Sequence, residues 1–199
     1  MEIRYSDKEI IFEKNLNDLD RFTMNFTSIL NKLKINYVIV SGYVSILFGR
    51  NRGSEDIDLI VDKIIFERFK ELWQELKKEF ECVITENCQD AYETYLVGGY
   101  SIRFSENGKF VPNIEVKFPK TELDQWTLDN RLKVLINRET IFISKIEVQI
   151  PFKLFLGSEK DIEDARYLYE IFKDKIDENL MQEFNRKLNI GDLFDKYIK

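Results

Sequence analysis

The chain of 199 residues contains no histidine. That excludes Ser-His-Asp and Cys-His nucleophilic sites, and it excludes zinc or iron centres built on imidazole. Cysteine is nearly as scarce, with only Cys82 and Cys88. Two thiols make no disulfide framework, and no second pair completes a thiolate zinc site. Proline and glycine number three and eight, and no Pro-rich or Ser/Gly-rich linker, internal repeat or low-complexity tract interrupts the chain. The longest apolar stretch, Tyr37 to Gly49, is too short and too interrupted to span a bilayer. The opening MEIRYSDKE lacks the apolar core of a signal peptide, so the expected setting is the cytoplasm with no membrane partner. A basic surplus is missing too: 30 Lys and Arg stand against 36 Asp and Glu, a net charge of −6. Non-specific affinity for long nucleic acids comes mostly from phosphate neutralisation, which this balance does not favour.

What is present supports a folded enzyme-sized domain. Apolar residues make up 44% of the chain and aromatics 14%, enough for a substantial core. Without imidazole, the chemical tools left are carboxylates, Lys, Arg and backbone amides. Carboxylates without histidine favour a hard cation such as Mg²⁺ or Mn²⁺.

Periodicity gives the order of elements. Residues 1–13 read as one or two strands with a turn near Ser6-Asp7. Leu16, Leu19, Phe22, Phe26, Ile29, Leu30 and Leu33 then recur at helical spacing. Tyr37–Val40 reads as a buried strand broken at Ser41-Gly42, followed by a short helix from Val44 to Phe48. Asp56–Val61 is a second strand, and Ile65, Phe69, Leu72, Trp73, Leu76 and Phe80 mark an amphipathic helix. Strand signals return at Cys82–Ile84, Tyr100–Phe104 and Ile114–Phe118, the last two joined across Glu106-Asn107-Gly108 as a hairpin. A helix over Leu123–Arg131 and short strands at Val134–Ile136 and Thr140–Ile143 follow. From Pro151 the pattern is helical, with its clearest stripe at Ile162, Ala165, Leu168 and Phe172. The expectation is a mixed α/β (α+β) body over residues 1–150 and a helical region over 151–199 packed on it.

One dipeptide spacing points to chemistry. On a strand, alternate side chains share a face, so Asp56 and Asp58 stand about 6.6 Å apart on one side while Ile57 and Leu59 face the core. Two adjacent carboxylates repel unless a cation sits between them. Asp18-Leu19-Asp20 has the same spacing, but on a helix, where residues two apart diverge. That pair is expected on a solvated face. Upstream of Asp56, the strand–turn–helix at Val38–Ser45 brings the flexible Gly42 and free backbone N–H groups to a place suited to phosphate. Taken alone, such a turn is only a turn.

The whole segment VIVSGYVSILFGRNRGSEDIDLIV resembles the signature of the DNA polymerase beta-like nucleotidyltransferase superfamily, most of all its abortive-infection-type and archaeal minimal members. Ser41-Gly42 takes the place of the usual Gly-Gly or Gly-Ser turn, with Ser41 where glycine is commoner. Arg52-Gly53-Ser54-Glu55-Asp56-Ile57-Asp58 matches the Arg-x-Ser/Thr-x-Asp-x-Asp form. The resemblance implies a nucleotidyltransferase-like mixed sheet flanked by helices. It implies a third acid on a neighbouring strand, for which Glu115 is the candidate. The other reading of Glu115 is an exposed strand residue paired with Lys117. Downstream, Lys153 and Lys160-Asp161-x-x-Asp164 resemble a recurring Lys and Lys-Asp-x-x-Asp motif. By that resemblance Lys153 and Lys160 face phosphate and Asp161 lies near nucleotide or acceptor. In the local reading, Ser158 and Asp161 start a helix and Lys160/Asp164 form an ordinary i,i+4 pair.

The reaction so implied moves a nucleoside monophosphate from an NTP to a hydroxyl-bearing acceptor and releases pyrophosphate. Asp56, Asp58 and Glu115 would hold Mg²⁺ or Mn²⁺, with Ser41, Gly42, Arg52, Ser54, Lys153, Lys160 and Asp161 around the nucleotide. The acceptor is left open between a tRNA end, a small hydroxylated molecule such as an aminoglycoside, and a protein side chain. The rival is a non-catalytic nucleotide-binding or antitoxin-like module of the same fold, acting with a protein partner.

Overall fold

The computed structural model describes residues 3–6 and 8–198. The chain opens with β1 (Arg4–Tyr5) and β2 (Glu9–Phe12), paired antiparallel. The expected turn at Ser6-Asp7 falls partly on Asp7, which lies outside the described residues. Helix α1 (Asp18–Lys32) starts in a reciprocal cap: the Asn17 side chain accepts from the Asp20 amide, and the Asp20 carboxylate accepts from the Asn17 amide. Then come β3 (Tyr37–Val40), α2 (Gly42–Leu47), β4 (Asp56–Val61), α3 (Phe66–Leu76) and β5 (Phe80–Cys82). Phe80, counted with the helical stripe from sequence, opens a strand instead. Its ring meets Phe22 and Phe26 of α1 as part of the core.

A one-turn helix α4 (Cys88–Asp90) runs into a π-helical segment, Ala91–Val97, where the sequence carried no clear pattern. Strands β6 (Ile102–Glu106) and β7 (Asn113–Lys117) form the expected antiparallel pair. Helix α5 (Glu122–Asp129) and the antiparallel pair β8 (Leu132–Ile136) and β9 (Glu139–Ile143) complete the α/β part. The last helices are α6 (Ile146–Leu156), α7 (Glu159–Phe172), α8 (Glu178–Lys187) and α9 (Gly191–Tyr197). Helical structure thus begins before Pro151, which sits inside α6, and this helix runs across the expected division at 150/151.

Among the described residues the strands form one mixed sheet in the order β1-β2-β8-β9-β3-β4-β7-β6-β5. At its centre β4 lies antiparallel to β3 and parallel to β7. Alternation along β4 works as the sequence requires. Ile57 and Leu59 are fully buried in the main core, while Ile60 packs on the opposite face with Val38 of β3 and Leu128 of α5. Asp56 and Asp58 share the Ile60 face, at the end of the strand that precedes it. The C-terminal helices close on the same core: Ile150, Leu154, Ala165, Leu168 and Phe172 are buried with it. No described helix is long and apolar enough to cross a membrane.

Candidate functional site

The carboxylate pair sits at the start of β4. Asp56 is exposed and Asp58 half-buried. In the parallel register Asp58 lies opposite Glu115 of β7, and in the antiparallel register opposite Val40 of β3. Burial pushes the Asp58 carboxyl upward from its ordinary range, and the charges of Glu115 and Asp56 push the same way; the Ser41 hydroxyl and Lys117 oppose them only in part. Ser54 braces the pair from its own segment, its hydroxyl bonded to the Asp56 carbonyl at 2.9 Å and near the Asp56 carboxylate at 3.3 Å.

Glu115 is engaged elsewhere. Its Oε2 accepts from Arg103 Nε and Nη2 at 3.0 and 2.8 Å. Burial works upward on this carboxyl as well, but Arg103 outweighs it and holds the group below its usual range. The alternative reading, a same-face pairing with Lys117, does not form; Lys117 Nζ instead lies 3.9 Å from Asp124. Among the described residues no group of three Asp, Glu or Cys side chains is gathered as a ready-made metal site. Asp56 and Asp58 nonetheless fit a divalent cation. They are oxygen donors side by side, and a repulsion that no lysine or arginine cancels at Asp58 is what such a cation removes.

The turn ahead of α2 is held in an unusual shape. Ser41 adopts φ 65° and ψ −138°, a conformation that costs a residue with a Cβ. Buried side chains stabilise it. Gln149 Nε2 donates to the Ser41 carbonyl at 2.7 Å, and Ser144 Oγ donates to Gln149 Oε1 at 2.7 Å. At Gly42 the reason for glycine is contact: a Cβ there would lie 2.7 Å from Arg52 Nη2. The Arg52 guanidinium therefore packs across the turn.

Opposite the carboxylates is a dense group of charges. Lys153 of α6 is only 2% exposed, and its Nζ lies 2.5 Å from Asp161 and 3.0 Å from Asp164 of α7. Asp164 is fully buried, with Arg50 on one oxygen and Arg52 Nη1 at 2.5 Å on the other. The Ser158 cap forms as read from sequence, its hydroxyl accepting from the Asp161 amide at 3.2 Å. Burial raises the Asp161 carboxyl, but the hydrogen bonds from Lys153 and Ser158 and the charges of Lys153 and Arg52 bring it below its usual range.

Ser41, Gly42, Arg52, Ser54, Asp56, Asp58, Lys153, Lys160 and Asp161 line one cleft of about 240 Å³, together with Ser158. Of the residues expected from sequence to hold the metal or the nucleotide, Glu115 alone is not among its walls. Two local readings are corrected. Asp164 is not an exposed i,i+4 partner of Lys160, because the buried cations claim it. Asp20 is not on a solvated face: it is fully buried, bonded to Tyr43 at 2.9 Å and paired with Lys14 at 2.9 Å.

Sequence reading passed over Gln149 altogether and missed the burial of Asp164. Both left a signal. Asp164 lies four residues before Leu168 and eight before Phe172, on the buried line of α7. Gln149, like Lys153, is a polar residue within the apolar run of α6.

No protein-family model matches the chain, and no curated protein matches it either. Solved structures do. An antigenic nucleotidyltransferase-like protein from Paracoccidioides brasiliensis is 18% identical with a TM-score of 0.54, covering 92% of this chain and 94% of that one. ANT(2")-Ia in complex with adenylyl-2"-tobramycin is 14% identical with a TM-score of 0.51, covering 84% of this chain and 98% of its own. At these identities the likeness is one of fold. The chain has a nucleotidyltransferase-like fold, a mixed sheet flanked by helices.

Proposed function

We propose that the chain is a divalent-metal-dependent nucleotidyltransferase that moves a nucleoside monophosphate from an NTP to a hydroxyl-bearing acceptor, with release of pyrophosphate. The observation that carries this reading is the cleft itself. Asp56 and Asp58 form one wall, and Arg52, Lys153 and Lys160 bring positive charge to the same cavity. Carboxylates for a cation and cations for a polyphosphate are the two halves of such a site.

Asp56 and Asp58 would hold Mg²⁺ or Mn²⁺, and Glu115 would join them by exchanging Arg103 for the metal. When bound, the cation supplies Lewis-acid chemistry, neutralising phosphate charge and lowering the pKa of an acceptor hydroxyl. The protein's own part is placement. The strained Ser41 turn, fixed by Gln149, presents its hydroxyl and the Gly42 backbone to the cleft. Arg52 lies against that turn and brings its guanidinium to the same cleft. Lys160, exposed at the first turn of α7, neutralises charge at the mouth. Ser54 keeps Asp56 oriented. The absence of histidine is no obstacle where a metal-bound acceptor needs no imidazole base.

The shared fold with a protein captured beside adenylyl-2"-tobramycin supports a hydroxyl acceptor on a small molecule. The acidic net charge leans the same way, against a long nucleic acid. The test is pyrophosphate release from each NTP in the presence of Mg²⁺ and candidate acceptors, with and without EDTA. Release that EDTA abolishes is the expected result. Tight NTP binding with no release for any acceptor would favour the binding-only module.

A further inference from the structure

Asp164 plays no part in the reaction above and does not line the cleft, yet it is the most heavily paired carboxylate among the described residues. Its side chain is fully buried, and three cations from separate stretches of chain converge on it. Arg50 follows α2, Arg52 lies in the loop before β4, and Lys153 is on α6. Arg50 also bonds the Lys160 carbonyl at 3.0 Å, tying the first turn of α7 into the same group. A buried carboxylate is costly unless its charge is fully matched, and here it is matched more than once.

The group is not neutral. Arg50, Arg52 and Lys153 meet only two carboxylates, Asp161 and Asp164. Left alone, three such cations would repel one another and spread. A common buried anion holds them close while leaving positive charge in surplus. Two of the three, Arg52 and Lys153, are walls of the cleft. Arg52 is further confined by its contact with Gly42.

We propose that Asp164 is a positioning residue for the phosphates of the NTP: without touching substrate, its buried carboxylate fixes Arg52 and Lys153 in one arrangement at the phosphate end of the cleft. The inference rests on the reading of that cleft as the NTP site. Preorganised cations bind an anion without a reorganisation cost at the moment of binding, so losing the anchor weakens affinity even where the fold survives.

The probe is inorganic tripolyphosphate with excess Mg²⁺, measured by calorimetric titration on the full chain, because it reports the phosphate end whatever base is preferred. Asp164→Asn should weaken binding by about tenfold or more. Because this variant strips the anion from a buried cation cluster, a second one is paired with it. Arg50→Met with Asp164→Asn removes one charge of each sign, so the balance of the cluster is kept while the anchor is lost. That double variant should melt close to wild type and still bind tripolyphosphate about tenfold more weakly. Asp164→Glu, which keeps the carboxylate, should recover affinity. Affinity lost in protein of unchanged melting point is a reading that a merely structural carboxylate would not move. If wild type binds tripolyphosphate and the double variant binds it equally well, the positioning role is overturned and the cleft reading stands. If wild type itself binds neither tripolyphosphate nor any NTP, the cleft reading falls and takes this role with it.

Discussion

The chain carries Asp-x-Asp twice, and the two pairs end in opposite circumstances. Asp18 and Asp20 lie on α1, where the helix turns them apart; Asp20 folds inward as the reciprocal cap and is saturated by Lys14, Tyr43 and the Asn17 amide. Asp56 and Asp58 lie on β4, where alternation keeps them on one face, and burial and neighbouring charge leave Asp58 strained toward its protonated form. A satisfied carboxylate holds structure together. One pressed against its own kind, at the edge of a cleft, is suited to taking up a ligand cation. The same contrast recurs between Asp164, with all of its charge matched inside the protein, and Asp58 across the cleft.

The largest difference between the pairs should appear in activity. Asp56→Asn or Asp58→Asn should lower metal-dependent pyrophosphate release by about a thousandfold or more, whereas Asp20→Asn should leave it nearly intact in folded protein. A strand variant with full activity would erase the distinction. Stability should rank them the other way. Asp20→Asn leaves Lys14 and Tyr43 without their anionic partner and should cost about 3 kcal/mol in urea unfolding. Asp58→Asn should not. The Asp58 carboxyl is raised in the folded state by burial first and then by Glu115 and Asp56. Stability linked to it is complete below the ordinary Asp range and is lost as pH rises through the raised value. Its Asn variant should therefore melt at or above wild type at pH 7, with the gap closing in acid.

Across the cleft the sign reverses. Asp161 is lowered, since Lys153 and Ser158 outweigh burial. The stability it contributes is present above the ordinary Asp range and is lost as pH falls through the depressed value. Urea unfolding from pH 7 down to acid should reveal this slope in wild type and flatten it in Asp161→Asn. The smallest effect concerns the two lysines. Lys153→Ala should weaken NTP binding by about tenfold and Lys160→Ala by about twofold, because a desolvated charge interacts more strongly than an exposed one. Fluorescent NTP titration with Mg²⁺ checks the order, and equal losses would remove the distinction between buried and surface cations.

Much of the site was readable from local pattern. The strand at 56–61, the turn at Ser41-Gly42 and the Ser158 cap depend on residues within a few positions of one another, and each formed where expected. The local readings that failed share a cause. Asp20 was expected on a solvated face, and the local alternatives for Asp164 and Glu115 paired them with Lys160 and Lys117, yet each is bound by a side chain brought in by packing. Phe80 was drawn into a helix by its spacing although its aromatic partners on α1 hold it in a strand.

Strand and helix periodicity are properties of consecutive residues, so the primary structure suffices to put Asp56 and Asp58 on one face and to place Lys160 and Asp161 at a helix start. Which charges meet is a property of how those elements pack. Arg52 and Asp164 stand 112 positions apart, and Gln149 reaches a carbonyl 108 positions away. Neither partner's chemistry names the other, because a buried charge accepts any well-placed opposite charge. It was the packing of α7 against α6 and α2 that selected these partners, and with them the shape of the cleft.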